Sequence, residues 1–478
     1  MKTSLSAAAL ATALGFLLPA GAQAMSLEDA LAAAYVSNPT LNAARAEMRA
    51  ADEQVPQALS GWRPTVSLSG DVGVEHSEIR SATTGAEIDD TLTPRSYGVS
   101  LSQPVFDGFG TTNAVNAAEN AVLAARGQLT AVEQGILLGA AQAYMDVLRA
   151  LAVVDLRVNN EQVLSRQLDA TRDRFEVGEI TRTDVSQAES RLAGAVAGRL
   201  AAEADLQSAR ATFERLVGVP PESLEWPDEF EATLPTSKDA AVAEALEGQP
   251  QVIAARYAAL AAQDSVGVVR AELLPSVSVQ ASASKAYESS TSVDRADSEA
   301  VQAVVRVPLY QSGSMWSRLR EAKHTAGQRR IEVDEALQTT RENTVQAWEG
   351  LLSARAQIKS LSAQVEAAQV ALEGVQREAQ VGARTVLDVL DAEQELLNAR
   401  VELVSARRNE RVASYQLLSA MGRLTAPALS LPVTPYDPSQ HYDDIRDRWF
   451  GSSEAAEKDQ AGDPPRPEAK ATGSGGAF

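Results

Sequence analysis

Four short stretches of the chain alternate apolar and polar residues, and two long ones repeat apolar residues at helical spacing. Val66, Leu68, Val72 and Val74 alternate with Ser67, Ser69, Asp71, Gly73 and Glu75, the period of two that sends successive side chains to opposite faces of a strand. Tyr97, Val99 and Leu101 alternate in the same way ahead of Gln103-Pro104-Val105-Phe106, with a polar loop expected near Ser81–Asp90. Val277, Val279, Ala281 and Ala283 form a third set, and Val301, Ala303, Val305 and Val307 lead into Pro308-Leu309-Tyr310 as a fourth. Each half of the chain is thus expected to hold one strand pair, within 64–106 and 275–310.

Proline is absent from the 115 residues between Val105 and Val219, and from the 118 between Leu309 and Ala426. Proline is the strongest helix breaker, so these windows read as helical hairpins, 111–218 and 315–421. The first long arm, about Thr111 to Val177, would run roughly 100 Å at 1.5 Å per residue. Val147, Leu151, Val154, Val158, Leu168 and Phe175 occupy heptad positions, while Glu161, Ser165 and Arg172 interrupt the seam. A broken seam suits a helix with more than one neighbour and a wet side.

Each hairpin bends at the same turn. Val177-Gly178-Glu179-Ile180-Thr181-Arg182-Thr183-Asp184-Val185 returns 204 residues later as Val381-Gly382-Ala383-Arg384-Thr385-Val386-Leu387-Asp388-Val389, with eight of the sixteen positions from 177 to 192 identical. The glycine stops one helix, and Thr181 with Asp184, or Thr385 with Asp388, caps the next. The flanks repeat as well. Ser26 and Asp29 cap a helical stretch over 26–59 that breaks at Asn38-Pro39, and Gln249-Pro250 through Leu274-Pro275 mirrors it. The chain therefore reads as a tandem internal duplication: a first repeat over 25–218, a connector over 219–237, a second repeat over 238–422, and a C-terminal segment over 423–450. A Gly/Pro/charged tail over 451–478 is expected to be disordered.

Composition narrows the function. Residues 1–24, with Lys2, an apolar run and Ala22-Gln23-Ala24, read as a secretory signal peptide. No later stretch approaches the 18–20 uninterrupted apolar residues of a membrane helix, and with no cysteine there is no disulfide or acylated cysteine. A net charge of −21 without a basic stripe excludes nucleic acid as a partner. Enzyme signals are missing: His76, His324 and His441 are scattered, and Gly108-Phe109-Gly110 lacks the rest of a nucleotide fingerprint. No cofactor is implied.

Four strands cannot close a barrel with a lumen, and lipid does not accept open strand edges. The strands belong either to a soluble sheet, as in a periplasmic coiled-coil adaptor without a pore, or to a barrel completed by other copies. The long helices, which need neighbours along their whole length, favour the second. At this point the chain resembles the TolC family of outer-membrane efflux and secretion channels over essentially all of 26–450. The resemblance is carried by the two Pro-bounded strand ends, by Val-Gly-x-x-Thr-x-x-Asp-Val-x-x-Ala-Glu at 177–189 and 381–393, and by Gly382-Ala383-Arg384-Thr385-Val386-Leu387-Asp388-Val389-Leu390-Asp391-Ala392.

That resemblance implies a mixed α/β membrane protein and a homotrimer. Three chains would supply a 12-stranded β-barrel in outer-membrane lipid, continued by an α-helical coiled-coil barrel across the periplasm. The partners implied are a periplasmic membrane fusion protein and an inner-membrane pump of ABC or RND type. The connector and C-terminal segment would form an equatorial belt. The family's entrance constriction falls on Arg384, Asp388 and Asp391, with Asp184 on the neighbouring turn. Threefold symmetry would stack Asp388 and Asp391 as two carboxylate rings, with Arg384 bonding across to the other turn. The alternative for Asp184 and Asp388 is that they serve as capping-box acids. Asp391 has Gln187 as its counterpart in the first repeat, so capping does not require it. Relatives carry a tyrosine where this chain has Ala379, so that part of the latch is missing or replaced. Val177, Gly178, Val381 and Gly382 are expected to dock the adaptor, and Trp62, Tyr97 and Tyr287 to mark the membrane rims.

Overall fold

The alternating stretches form one antiparallel sheet in the order β1-β4-β5-β6, made of β1 (Thr65–Val72), β4 (Arg95–Phe106), β5 (Ser276–Ser290) and β6 (Val293–Arg306). The computed structural model describes residues 25–80, 82–85, 87–227, 234–290 and 293–452. The expected signal peptide lies outside the described residues, as does the expected tail beyond residue 452. Across the sheet, Val66, Leu101, Ala281 and Val301 stand in one row. The next row, Ser67, Ser100, Ser282 and Ala300, points to the opposite face. One face is thus apolar and the other lined by serines. Strands β1 and β6 pair on one side only, so both edges are open.

The loop expected near Ser81–Asp90 is shorter than its composition suggests. Strands β2 (Glu75–Arg80) and β3 (Glu87–Leu92) form a separate two-stranded sheet beyond β1 and β4. Ion pairs of 3.5 Å between Arg80 and Glu87 and 3.4 Å between His76 and Asp89 tie them across. Glu75–Arg80 and Glu87–Leu92 are mostly polar in sequence, so there was little hydrophobic alternation to read.

Helix α4 (Gly110–Glu176) and helix α8 (Ser314–Gln380) are each 67 residues long and begin 204 residues apart. They return as α5 (Arg182–Val217) and α9 (Val386–Ala420). Two interruptions of the α4 seam are answered by α5: Glu161 pairs with Arg199 at 2.6 Å and Arg172 with Glu189 at 2.8 Å. Preceding them are α1 (Leu27–Ser37), α2 (Pro39–Asp52) and α3 (Gln54–Leu59) in the first half, and α6 (Lys238–Gly248) and α7 (Pro250–Ala271) in the second. Asn38 ends α1 and caps α2, donating its amide to the Leu216 carbonyl at 2.9 Å.

The main core belongs to the first half. Leu31, Tyr35, Leu137, Tyr144, Phe213 and Leu424 are buried together where α1, α2 and α5 cross the middle of α4. Tyr144 is the hub: its hydroxyl donates toward the Met25 and Glu225 carbonyls (2.8 and 2.7 Å) and accepts from the Glu225 amide at 3.2 Å. The C-terminal segment returns over the same helices. The Ala426 amide donates to Glu133 at 2.7 Å, the Tyr436 amide to the Tyr35 hydroxyl at 2.8 Å, and Arg446 pairs with Glu119 at 3.1 Å. The second half has only small clusters, leaving Ile331, Leu352 and Val370 exposed on α8.

Run lengths gave an incomplete account of apolarity. By length and composition, Gly110–Glu176 and the stretch Lys238–Ala271 each hold an 18-residue window apolar enough to cross a membrane. Both are alanine-rich. The first is half buried against the chain's own helices, whereas only 6% of the second window is buried.

Where α10 (Ser439–Ile445) meets the end of α2, the fully buried Asp52 carboxylate lies 3.4 Å from His441 Nδ1. Burial outweighs the opposing pull of His441 and Arg126 and raises Asp52 from 3.8 to about 6. Its folded value lies above its unfolded one, so the native state binds the extra proton between those limits, and stability falls as pH rises through that window. Limited proteolysis of the C-terminal segment is therefore expected to be slower at pH 5 than at pH 7.5. Asp52→Asn should flatten that difference.

Candidate gate at the paired helical turns

Both turns follow from local chemistry. Gly178 (φ 79°) and Gly382 (φ 78°) are left-handed, the conformation glycine takes at no steric cost. The following amides close the turn: Glu179 donates to the Arg174 carbonyl and Ala383 to the Glu378 carbonyl, each at 2.9 Å. Thr181 and Thr385 then open α5 and α9 with full capping boxes. Asp184 accepts from the Thr181 amide at 2.9 Å and hydroxyl at 2.7 Å, and Asp388 from those of Thr385 at 2.9 and 2.8 Å.

These bonds to Thr385, with the nearby Arg384 charge, hold the Asp388 carboxyl below its ordinary range. The anchoring is therefore present above pH 3.8, the unperturbed value, and is lost as pH falls through the lower folded value. Thr385→Ala is expected to cost about 1 kcal/mol at this helix start. Faster amide exchange over residues 385–390 would show it.

Arg384 does not reach the other turn within the chain. Its Nε donates to Glu378 at 2.9 Å, six residues back in the same hairpin. Near the turns the hairpins are linked by Arg191 on α5, which is hydrogen-bonded to Asp391 on α9; farther along, Arg408 of α9 pairs with Asp146 of α4 at 2.9 Å. Beside the first pair Leu164, Ala195, Val386 and Leu390 are buried together. Asp388 and Asp391 therefore have different partners: the first caps its own helix, and the second is held from across the seam. Ala379 packs with Leu372 and Val389 inside its own hairpin. Arg191 was missed because a lone arginine on a helix face carries no signal of its partner. Its counterpart 204 positions on is Glu395, an asymmetry that was legible.

Val177 and Val381, exposed by 72% and 80%, project from the turns, and a Cβ added at Gly178 or Gly382 would meet nothing within 4 Å. At the other end of the molecule, Tyr97 and Tyr287 lie 6.5 Å apart between ring centroids, with Arg95 and Arg295 over the Tyr287 ring. Trp62 lies at the opposite end of the sheet, where its carbonyl accepts from Gln103 at 2.8 Å. Exposed Phe109, Leu309, Tyr310 and Trp316 surround that same strand-to-helix end. Sequence reasoning named none of these four as rim residues, although Leu309 and Tyr310 belong to a Pro-bounded strand end it marked.

The model of the outer membrane efflux protein family matches residues 30–219 and 241–423. The outer membrane efflux protein BepC of Brucella suis is 39% identical over 426 residues, covering 89% of this chain and 91% of that protein. The outer membrane protein TolC of Escherichia coli is 27% identical over 437 residues, 86% of each. Among solved structures, the Campylobacter jejuni CmeC outer membrane channel superposes with a TM-score of 0.75 at 16% identity, covering 83% of this chain and 85% of that one, a likeness of fold. With both halves matched by one family model, and a relative aligned along nearly its whole length, this chain belongs to the outer membrane efflux protein family.

Proposed function

We propose that three copies of this chain close a 12-stranded barrel in the outer membrane and continue it as a helical tunnel across the periplasm. The assembly is the exit duct of a tripartite efflux or type I secretion system. The observation that carries this reading is the four-stranded sheet with both edges unpaired, one face apolar and the other serine-lined. An open edge is intolerable in lipid, and pairing β6 of one copy with β1 of the next removes every edge at once. The apolar face then meets lipid, the serines meet water, and Tyr97 and Tyr287 form the outer aromatic girdle. The exposed second-half helices gain neighbours in the same closure. The two repeats, a tandem duplication, give the trimeric tunnel a pseudo-sixfold wall.

The turns lie at the periplasmic entrance. Asp388, Asp391 and Asp184 line it, and Val177-Gly178 and Val381-Gly382 fit the helical tips of a membrane fusion protein. An inner-membrane pump supplies the energy. The test is purification in detergent followed by reconstitution in planar bilayers. The expected result is a species of three chain masses with small, mostly closed, cation-selective events. A stable monomer recovered without detergent would overturn the reading.

A further inference from the structure

We infer that Arg191 is the residue that fixes this duct's resting closure and its charge selectivity, by holding Asp391 against the neighbouring hairpin of the same chain. This deepens the duct reading above and rests on it. Three observations carry it. Arg191 bonds Asp391 across 200 positions of sequence, from α5 to α9. The bond flanks an apolar seam made by Leu164 and Ala195 of the first hairpin with Val386 and Leu390 of the second, all less than one-tenth exposed. The ion pair and the seam share their helices, since Arg191 precedes Ala195 by one turn and Asp391 follows Leu390.

The third observation is the mismatch between the repeats. Shifting both partners by the 204-residue offset replaces Arg191 with Glu395 and Asp391 with Gln187. In a pseudo-sixfold tunnel the equivalent seam, between one copy's second hairpin and the next copy's first, therefore sets Glu395 toward Gln187 and carries no such ion pair. The latch closes three of six seams, those within chains. It also leaves the two acidic positions unequal: the guanidinium offsets the charge of Asp391, while Asp388 keeps its charge on its own helix cap. Selectivity at rest is then carried chiefly by Asp388, and releasing Asp391 adds three charges to the entrance.

Arg191→Ala is expected to raise the frequency of open events several-fold and to increase cation over anion selectivity. Arg191→Lys should keep most of the resting closure, and the exchange Arg191→Asp with Asp391→Arg should restore it. Wild-type conductance and selectivity in Arg191→Ala trimers would overturn the latch. A second measurement does not need the pore. The chain has no cysteine, so Arg191→Cys with Asp391→Cys supplies its only two thiols. A short bifunctional thiol reagent should join them within one chain, and failure to join them, or linkage only between chains, would overturn the contact. Joined thiols in a protein that never conducts would sink the duct reading and leave the contact standing.

Discussion

Ala281→Arg is expected to remove the protein from the outer membrane, whereas Ser282→Arg, one residue along the same strand, leaves it there. Ala281 stands between Leu101 and Val301 on the apolar face, and Ser282 between Ser100 and Ala300 on the serine face. An arginine facing lipid near the bilayer midplane costs about 2–4 kcal/mol. Threefold closure repeats that cost, so roughly 6–12 kcal/mol falls on one barrel, comparable with the whole stability of a domain. The serine-face arginine meets water and changes conductance instead. Recovery of trimer from membrane fractions, compared between the two variants, checks the orientation of the sheet. Equal recovery, or the reverse order, would mean that the apolar face does not meet lipid.

The second large effect is expected at Tyr144. Tyr144→Ala empties a fully buried site beside Phe213 and should cost about 3–5 kcal/mol, the range for deleting a large aromatic from a core. Tyr144→Phe keeps the ring but leaves the Met25 and Glu225 backbone groups without this partner, costing about 1–3 kcal/mol. The difference separates packing from hydrogen bonding. Because that hydroxyl ties the segment just before α1 and the connector to α4, protease nicking near Glu222–Trp226 should increase in both variants, before global unfolding. An unchanged melting temperature in Tyr144→Ala would show that the core does not depend on this hub.

Much of this architecture was legible because it is dictated locally. Period-two alternation located β1, β4, β5 and β6, the absence of proline marked the two windows that hold the long helical hairpins, and glycine with a capping box located both turns. Other features needed the folded chain. The β2 and β3 sequences hold few apolar residues, so their backbone pairing left little alternation to read. The concentration of the core in the first half depends on Leu424, Ala426 and Tyr436 returning to helices some 300 to 400 positions earlier.

At the turns, sequence established the acids and their capping partners but not the bonds made between hairpins. A carboxylate three residues after a threonine has its partner within reach whatever the tertiary fold, which is why the roles of Asp184 and Asp388 as caps could be read directly. Arg384 lies in the turn and Asp391 on the surface of α9, and neither has a partner fixed by sequence distance. Only the packing of α5 against α9 brought Arg191 to Asp391, while Arg384 bonds Glu378 across its own turn. Short-range bonds are set by the order of residues along the chain, whereas bonds between helices wait on which faces the buried seams turn toward each other.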